Sequence, residues 1–168
     1  DFTRERILNP DAATVSVGHY AGGTYGNYWV LIFSYPENAH TEDYRQQVLD
    51  LVNAERTRRG LVPLEMGDAN LTAAAQERAV EIAAVNSHTR PDGTSCFTVL
   101  TEQGVKDAPT GENAAWGSVS PQDVMKAWMN SEGHRNNILD PEARKMGVGY
   151  YYNSSSTWGH QWIQIFTK

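Results

Sequence analysis

Two periodicities divide the chain. Val15, Val17 and His19 alternate with small or polar residues, a Gly-rich stretch follows, and Tyr28 to Phe33 form an aromatic and β-branched run, so residues 15–33 predict a β-hairpin. From Thr41 onward the apolar spacing lengthens to that of helices. Tyr44, Val48, Leu51, Val52 and Glu55 share one face of a first helix, which Thr41 caps and Gly60 ends. Leu71, Ala75, Ala79, Ile82 and Ala83 predict a second helix from about Ala69 to Asn86. Ser120-Pro121-Gln122-Asp123 is a helix start, with Ser120 as cap and Pro121 in the first turn, leading into Val124, Ala127, Trp128 and Ser131 on one face. The chain then returns to strand character, helices and long loops giving way to a closing hairpin.

That closing hairpin has a counterpart at the other end. Ile7-Leu8-Asn9-Pro10-Asp11-Ala12 matches Ile138-Leu139-Asp140-Pro141-Glu142-Ala143, and Val17-Gly18-His19-Tyr20 matches Val148-Gly149-Tyr150-Tyr151. After a two-residue gap, Gly26 to Phe33 matches Gly159 to Phe166. Such repetition is architectural. Residues 41–168 read as one complete domain, 37–40 as a linker, and 1–36 as the tail of a truncated repeat or an appended hairpin. An isolated hairpin is marginal and an open edge is a pairing site, so this segment suits sheet extension or a swapped dimer.

Composition narrows the classes. With 168 residues the chain suits a single domain with a real core, and its formal net charge of −6, with no basic run beyond Arg58-Arg59, argues against nucleic acid or an anionic membrane as partner. No apolar run approaches the roughly 20 residues of a bilayer span. Asp1-Phe2-Thr3-Arg4 has no signal-peptide pattern, which reads as a processed or truncated ectodomain. The single cysteine, Cys96, cannot form an internal disulfide and reads as a buried small side chain between Ser95 and Phe97. As a nucleophile it lacks a partner nearby in sequence; a histidine brought to it by the fold is left open.

Six short motifs carry the candidate chemistry: Val52-Asn53-Ala54-Glu55-Arg56, Gly60-Leu61-Val62-Pro63-Leu64, Ser87-His88-Thr89-Arg90-Pro91-Asp92-Gly93, Gly111-Glu112-Asn113, Trp128-Met129-Asn130-Ser131-Glu132-Gly133-His134-Arg135 and Trp162-Ile163-Gln164. In this order, from about Tyr44 to Phe166, they resemble the CAP superfamily of cysteine-rich secretory proteins, antigen 5 and pathogenesis-related 1 proteins, in its bacterial SCP-like branch. The lone cysteine agrees, since many eukaryotic relatives are disulfide-rich. The resemblance implies an α+β fold, a three-layer α-β-α sandwich with a central antiparallel sheet whose last two strands are the closing hairpin. It also implies a secreted or cell-surface location.

Read alone, His88 at a helix end is a capping or hydrogen-bonding residue; the resemblance makes it the cavity histidine. Glu112, between Gly111 and Asn113, is either aimed into the cavity or a structural carboxylate that ties two loops together. Gly133 is expected to end the helix of Trp128, so that His134 begins the return toward the same cavity. Two imidazoles and a carboxylate suit a divalent metal such as zinc, held by His88 and His134 with Glu112 orienting a ring. They equally suit a general acid/base pair or a hydrogen-bonded structural cluster. Two positions depart from the eukaryotic pattern. Ser131 stands where a second Glu is found there, and Glu132 lies about 100° round the helix. The second family histidine falls at Gln161, with His160 one residue early and therefore on the other strand face unless a bulge intervenes. The site set is His88, Glu112 and His134, with Ser131 and His160 as outer candidates; His19, Tyr25 and Trp29 are packing or edge residues. With neither a Ser-His-Asp arrangement nor HExxH present, the leading expectation is a cleft for a small-molecule, peptide or envelope ligand, with or without metal. A metal- or His/Glu-assisted hydrolase and a protein interaction module are the alternatives, and lipid binding ranks lower.

Overall fold

The computed structural model describes residues 14–34 and 41–168, which belong to two units divided between His40 and Thr41. The Ile7–Ala12 part of the repeat, the linker at 37–40 and the Thr41 cap side chain lie outside the described residues.

In the first unit, β1 (Thr14–Ala21) and β2 (Asn27–Ser34) form an antiparallel ladder from Thr14↔Ser34 to Ala21↔Asn27. The alternation of Val15, Val17 and His19 and the aromatic run thus become paired strands around the Gly-rich turn.

The second unit runs α1 (Thr41–Arg58), β3 (Glu65–Met66), α2 (Ala69–Ala84), α3 (Thr98–Glu102), β4 (Pro109–Trp116), α4 (Pro121–Asn130), α5 (Glu132–Ile138), β5 (Lys145–Tyr152) and β6 (His160–Thr167). Gly60 ends α1 in a left-handed conformation, φ 74°, and the N–H groups of Gly60 and Leu61 return to the carbonyls of Thr57 and Arg56. Asp68 caps α2 by accepting from the Leu71 N–H at 2.9 Å. This helix stops two residues short of Asn86, where the chain turns extended at Val85. Ser120 caps α4 as expected, accepting from the Asp123 N–H at 3.1 Å.

The end of α4 differs from expectation. Ser131 is extended (φ −95°, ψ 125°) and breaks the helix, after which Gly133 and His134 lie inside a new helix, α5. The Ser131 carbonyl accepts from the Arg135 N–H at 2.9 Å to restart the turn, and the Arg135 guanidinium donates back to the Met129 carbonyl at 2.9 Å. The Gly133 backbone is therefore helical rather than a terminator, and His134 is carried on a helix.

Strand order in the main sheet is β3-β5-β6-β4. Its three long strands are antiparallel, but β3 pairs parallel to β5 through Glu65↔Lys145, so the sheet is mixed, not wholly antiparallel as anticipated. Asn53 fixes the entry to β3, bonding both the carbonyl (2.9 Å) and the N–H (2.7 Å) of Leu64. Both faces are buried. Met146, Val148, Tyr150, Trp162 and Phe166 meet Val48, Leu49 and Val52 of α1 and Val124, Met125 and Trp128 of α4. On the opposite face Ala114, Ile163 and Ile165 meet Leu71, Ala75, Ala79 and Ile82 of α2, with Val99 and Leu100 of α3. Each large side chain so buried stabilises the fold by about 1.5–3 kcal/mol. Helix α2 lies so close that a Cβ on Gly149 would sit 2.0 Å from the Ala75 carbonyl oxygen. Arg56, fully buried, ties α1 to the loop before β3 through the Val62 carbonyl, and to the end of α5 and the segment after it through the carbonyls of Ile138, Asp140 and Ala143.

Candidate functional site

The site grows from a charge on an apolar stripe. Arg78 occupies the buried face of α2 among Leu71, Ala74, Ala75 and Ile82, where an ionised guanidinium requires a partner. Glu112, on the β4 row that faces α2, supplies it. Arg78 Nε donates to Glu112 Oε2 at 2.9 Å and Nη2 to Oε1 at 3.2 Å, with the side chains 0% and 1% exposed. Arg78 also donates to Glu81 and, at 2.9 Å, to the Ser87 carbonyl, drawing the chain after α2 over the pair. His88 then meets Glu112, Nδ1 to Oε1 at 2.8 Å, while its side chain stays 58% exposed. The result is a relay of guanidinium, carboxylate and imidazole from core to surface.

The Arg90-Pro91-Asp92-Gly93 turn folds back so that the Cys96 N–H donates to the His88 carbonyl at 3.0 Å and Cys96 lies buried beside the ring. Sequence reasoning left open a histidine brought to the thiol by the fold; closure of this loop, fixed by Arg90 bonds to Glu77, Glu81 and Glu102, brings His88 there. Hydrogen bonding of the protonated ring to Cys96 first and to Glu112 second outweighs burial and raises the His88 pKa to about 9. Burial opposes ionisation of Glu112, but His88 and Arg78 hold its carboxyl below the usual range.

On the other side of β4, α5 is docked through amides. Asn137 donates to the Glu112 carbonyl at 3.2 Å and to Asn113 Oδ1 at 2.8 Å; Asn113 in turn donates to the His134 carbonyl at 3.0 Å and to Gln164 Oε1 at 2.9 Å. Gly111 is required here, because its Cβ would lie 2.7 Å from the Asn137 side chain. His134 is half-buried, and burial first, then the positive charge of His88, lowers its pKa.

The outer candidates are placed differently. Ser131 forms the joint between α4 and α5. The β5–β6 ladder runs without a shift to Tyr152↔His160, so no bulge rotates His160. It shares the strand face of Trp162, across the sheet from Glu112, and its Nδ1 lies 2.9 Å from Tyr150 Oη. Burial lowers its pKa. Gln161, one position on, is buried. Arg78 and Asn137 escaped the sequence reading, as did which histidine would meet Cys96. Arg78 alone left a signal, as a cation in register with the apolar stripe of α2.

For a metal, His88, Cys96 and Glu112 offer ligand atoms within 4.8 Å of one another, and His134 is not among them. The donor types suit zinc. The surroundings do not fit a cation: Arg78 already occupies both oxygens of Glu112 and places a full positive charge beside them.

Residues 49–166 match the profile of the cysteine-rich secretory protein (CAP) family. Over 122 residues the chain is 41% identical to the uncharacterised protein YkwD of Bacillus subtilis (strain 168), covering 71% of this chain and 47% of that protein. It is 33% identical over 106 residues to the uncharacterised membrane protein YlbC of the same organism, covering 62% of this chain and 30% of that protein. Thus the chain spans less than half the length of either relative. Among solved structures, an extracellular protein containing an SCP domain from Bacillus anthracis aligns with TM-score 0.68 and 26% identity, over 83% of this chain and 47% of that one. An outer surface protein from Borrelia burgdorferi aligns with TM-score 0.68 and 22% identity, over 79% and 96%, a likeness of fold. Among the described residues no helix is long and apolar enough to cross a membrane.

Proposed function

The chain belongs to the CAP family of cysteine-rich secretory proteins, here in a bacterial form, and from that premise we propose that residues 41–168 are an extracellular ligand-binding domain. Its cleft presents the charged imidazole of His88, with His134 nearby, to an acceptor group of a peptide or envelope ligand. One observation carries this reading: a half-exposed imidazole fixed at 2.8 Å to a carboxylate that is itself buried on Arg78. An imidazole so anchored keeps its proton at neutral pH and offers a positioned, charge-assisted donor, which suits a ligand carboxylate. The extracellular placement is supported by the Bacillus anthracis and Borrelia proteins, an extracellular and an outer surface protein by their descriptions.

The test is an NMR titration of the full chain with a tetrapeptide bearing a free C-terminal carboxylate and, in parallel, its amidated form. The free-carboxylate peptide is expected to shift the imidazole signals of His88 and His134, and His88→Gln to abolish binding. Equal responses to the two peptides, or none to either, would overturn the reading. A metal-bound cleft is the weaker alternative because an ion at Glu112 must displace Arg78. Metal-stripped protein is accordingly expected to show no stoichiometric Zn²⁺ binding by calorimetry.

A second reading, peptidase-like hydrolysis, is favoured by one juxtaposition: a thiol, an imidazole and a carboxylate, Cys96, His88 and Glu112, have atoms within 4.8 Å of one another. It requires a cleavage product that disappears in Cys96→Ala while the fold persists.

A further inference from the structure

The β1–β2 hairpin reproduces β5–β6 pair for pair. Thr14↔Ser34 corresponds to Lys145↔Thr167, Gly18↔Val30 to Gly149↔Ile163, and Ala21↔Asn27 to Tyr152↔His160, with no slip between. The correspondence extends to side chains. His19 and Trp29 lie tilted against one another with ring centroids 4.3 Å apart, as Tyr150 and Trp162 do at 4.5 Å. His19 Nε2 lies 2.8 Å from Asn27 Oδ1, where the equivalent Tyr150 Oη lies 2.9 Å from His160 Nδ1. The connecting turns differ, residues 22–26 in one hairpin and 153–159 in the other, so a common turn does not account for this matched diagonal pair.

What covers β5–β6 is known from the chain itself, and the hairpin carries the imprint of the same cover. Strand β2 reads Asn27-Tyr28-Trp29-Val30-Leu31-Ile32-Phe33-Ser34, a continuous apolar run of the kind found where both sheet faces are buried. Yet Val15, Val17, Trp29, Val30, Leu31 and Ile32 are all exposed. Gly18 is the sharper sign. Its counterpart Gly149 is needed because a Cβ would strike the α2 backbone at 2.0 Å, whereas a Cβ on Gly18 would meet only Val30, at 3.9 Å. A glycine thus stands where nothing near it in the hairpin needs one, at the position where the CAP fold admits a helix backbone. Along its other edge, β6 is paired with β4; in its own two-stranded sheet β2 pairs with β1.

We propose that β1–β2 is the final hairpin of a second CAP-type unit, and that its occupant is a CAP polypeptide lacking its own last hairpin. That occupant lays an alanine-faced helix over Gly18, a second helical layer over Val17, Trp29 and Leu31, and an antiparallel strand along β2. A second copy of this chain is not the occupant, since its own layers already hold β5–β6. This inference stands on the hairpin and is independent of the His88 cleft.

The probe is residues 41–144 of this chain, the CAP layers without β5 and β6, refolded in the presence of the full chain. The expected result is a 1:1 complex in which amides of β2 gain hydrogen-exchange protection, and its loss with Gly18→Leu in the full chain. A complex indifferent to Gly18→Leu, or self-association of the full chain through the hairpin, would overturn the proposal. Should the fragment aggregate, a graft decides: residues 14–34 replacing 145–167 in the full chain. A cooperative thermal transition that Gly18→Leu abolishes supports the assignment, and a graft that fails to fold refutes it.

Discussion

Arg78 and Glu112 have no solvent to fall back on, so neither tolerates loss of the other. Replacing Arg78 with Met leaves the Glu112 carboxylate buried with His88 alone and is expected to lower unfolding free energy by about 3–5 kcal/mol, read from urea denaturation. His88 gives a pH signature of definite sign. Its pKa is 6.5 in an unfolded chain and about 9 in the fold, raised by Cys96 and Glu112. The fold therefore binds this proton more tightly, and the resulting stabilisation is complete below 6.5 and lost as pH rises from 6.5 through 9. Thermal melts across that window are expected to show a decline that His88→Gln flattens. Sequence motifs pointed to His88, Glu112 and His134, and the anomaly of a cation on the α2 stripe was readable. Which histidine meets Cys96 was not, because that depends on a loop closing eight residues back on itself. Strand parity put His160 on the face away from the cavity, and the unbulged ladder keeps it there.

At the scale of elements, apolar spacing located α1, α2 and α4, and the capping residues Asp68 and Ser120 follow ordinary start signals. It misjudged the Trp128-to-Arg135 segment because a glycine is a common terminator, whereas here the extended backbone of Ser131 ends the helix and Arg135 restarts it. The two-residue β3 has too few positions to show any period. The tightest junction is α2 on β5. Gly149→Ala drives a methyl into the Ala75 carbonyl and is expected to lower stability by about 3 kcal/mol or more, seen as a fall in melting temperature, with insoluble expression as the extreme outcome. Gly133→Ala, where a Cβ meets nothing within 4 Å, is the matched control and is expected to leave stability unchanged or raise it slightly.

For the whole molecule, the order of the motifs from Val52 to Gln164 was enough to fix the family, because each marks a junction the fold needs: Asn53 on Leu64, Arg56 on four carbonyls, Glu112 on Arg78, Asn113 on His134. A sequence cannot show which of these junctions face solvent. Of those named, the His88 end of the Arg78–Glu112 relay does so with a titratable group, and the proposed recognition of a ligand carboxylate depends on its charge. That charge is measured directly by following the ¹⁵N-labelled imidazole of His88 by NMR from pH 5 to 10, in wild type and Glu112→Gln. A midpoint near 9 in wild type, falling in the variant, is the predicted result. A midpoint near 6.5 in both would contradict it and leave His88 an ordinary surface histidine.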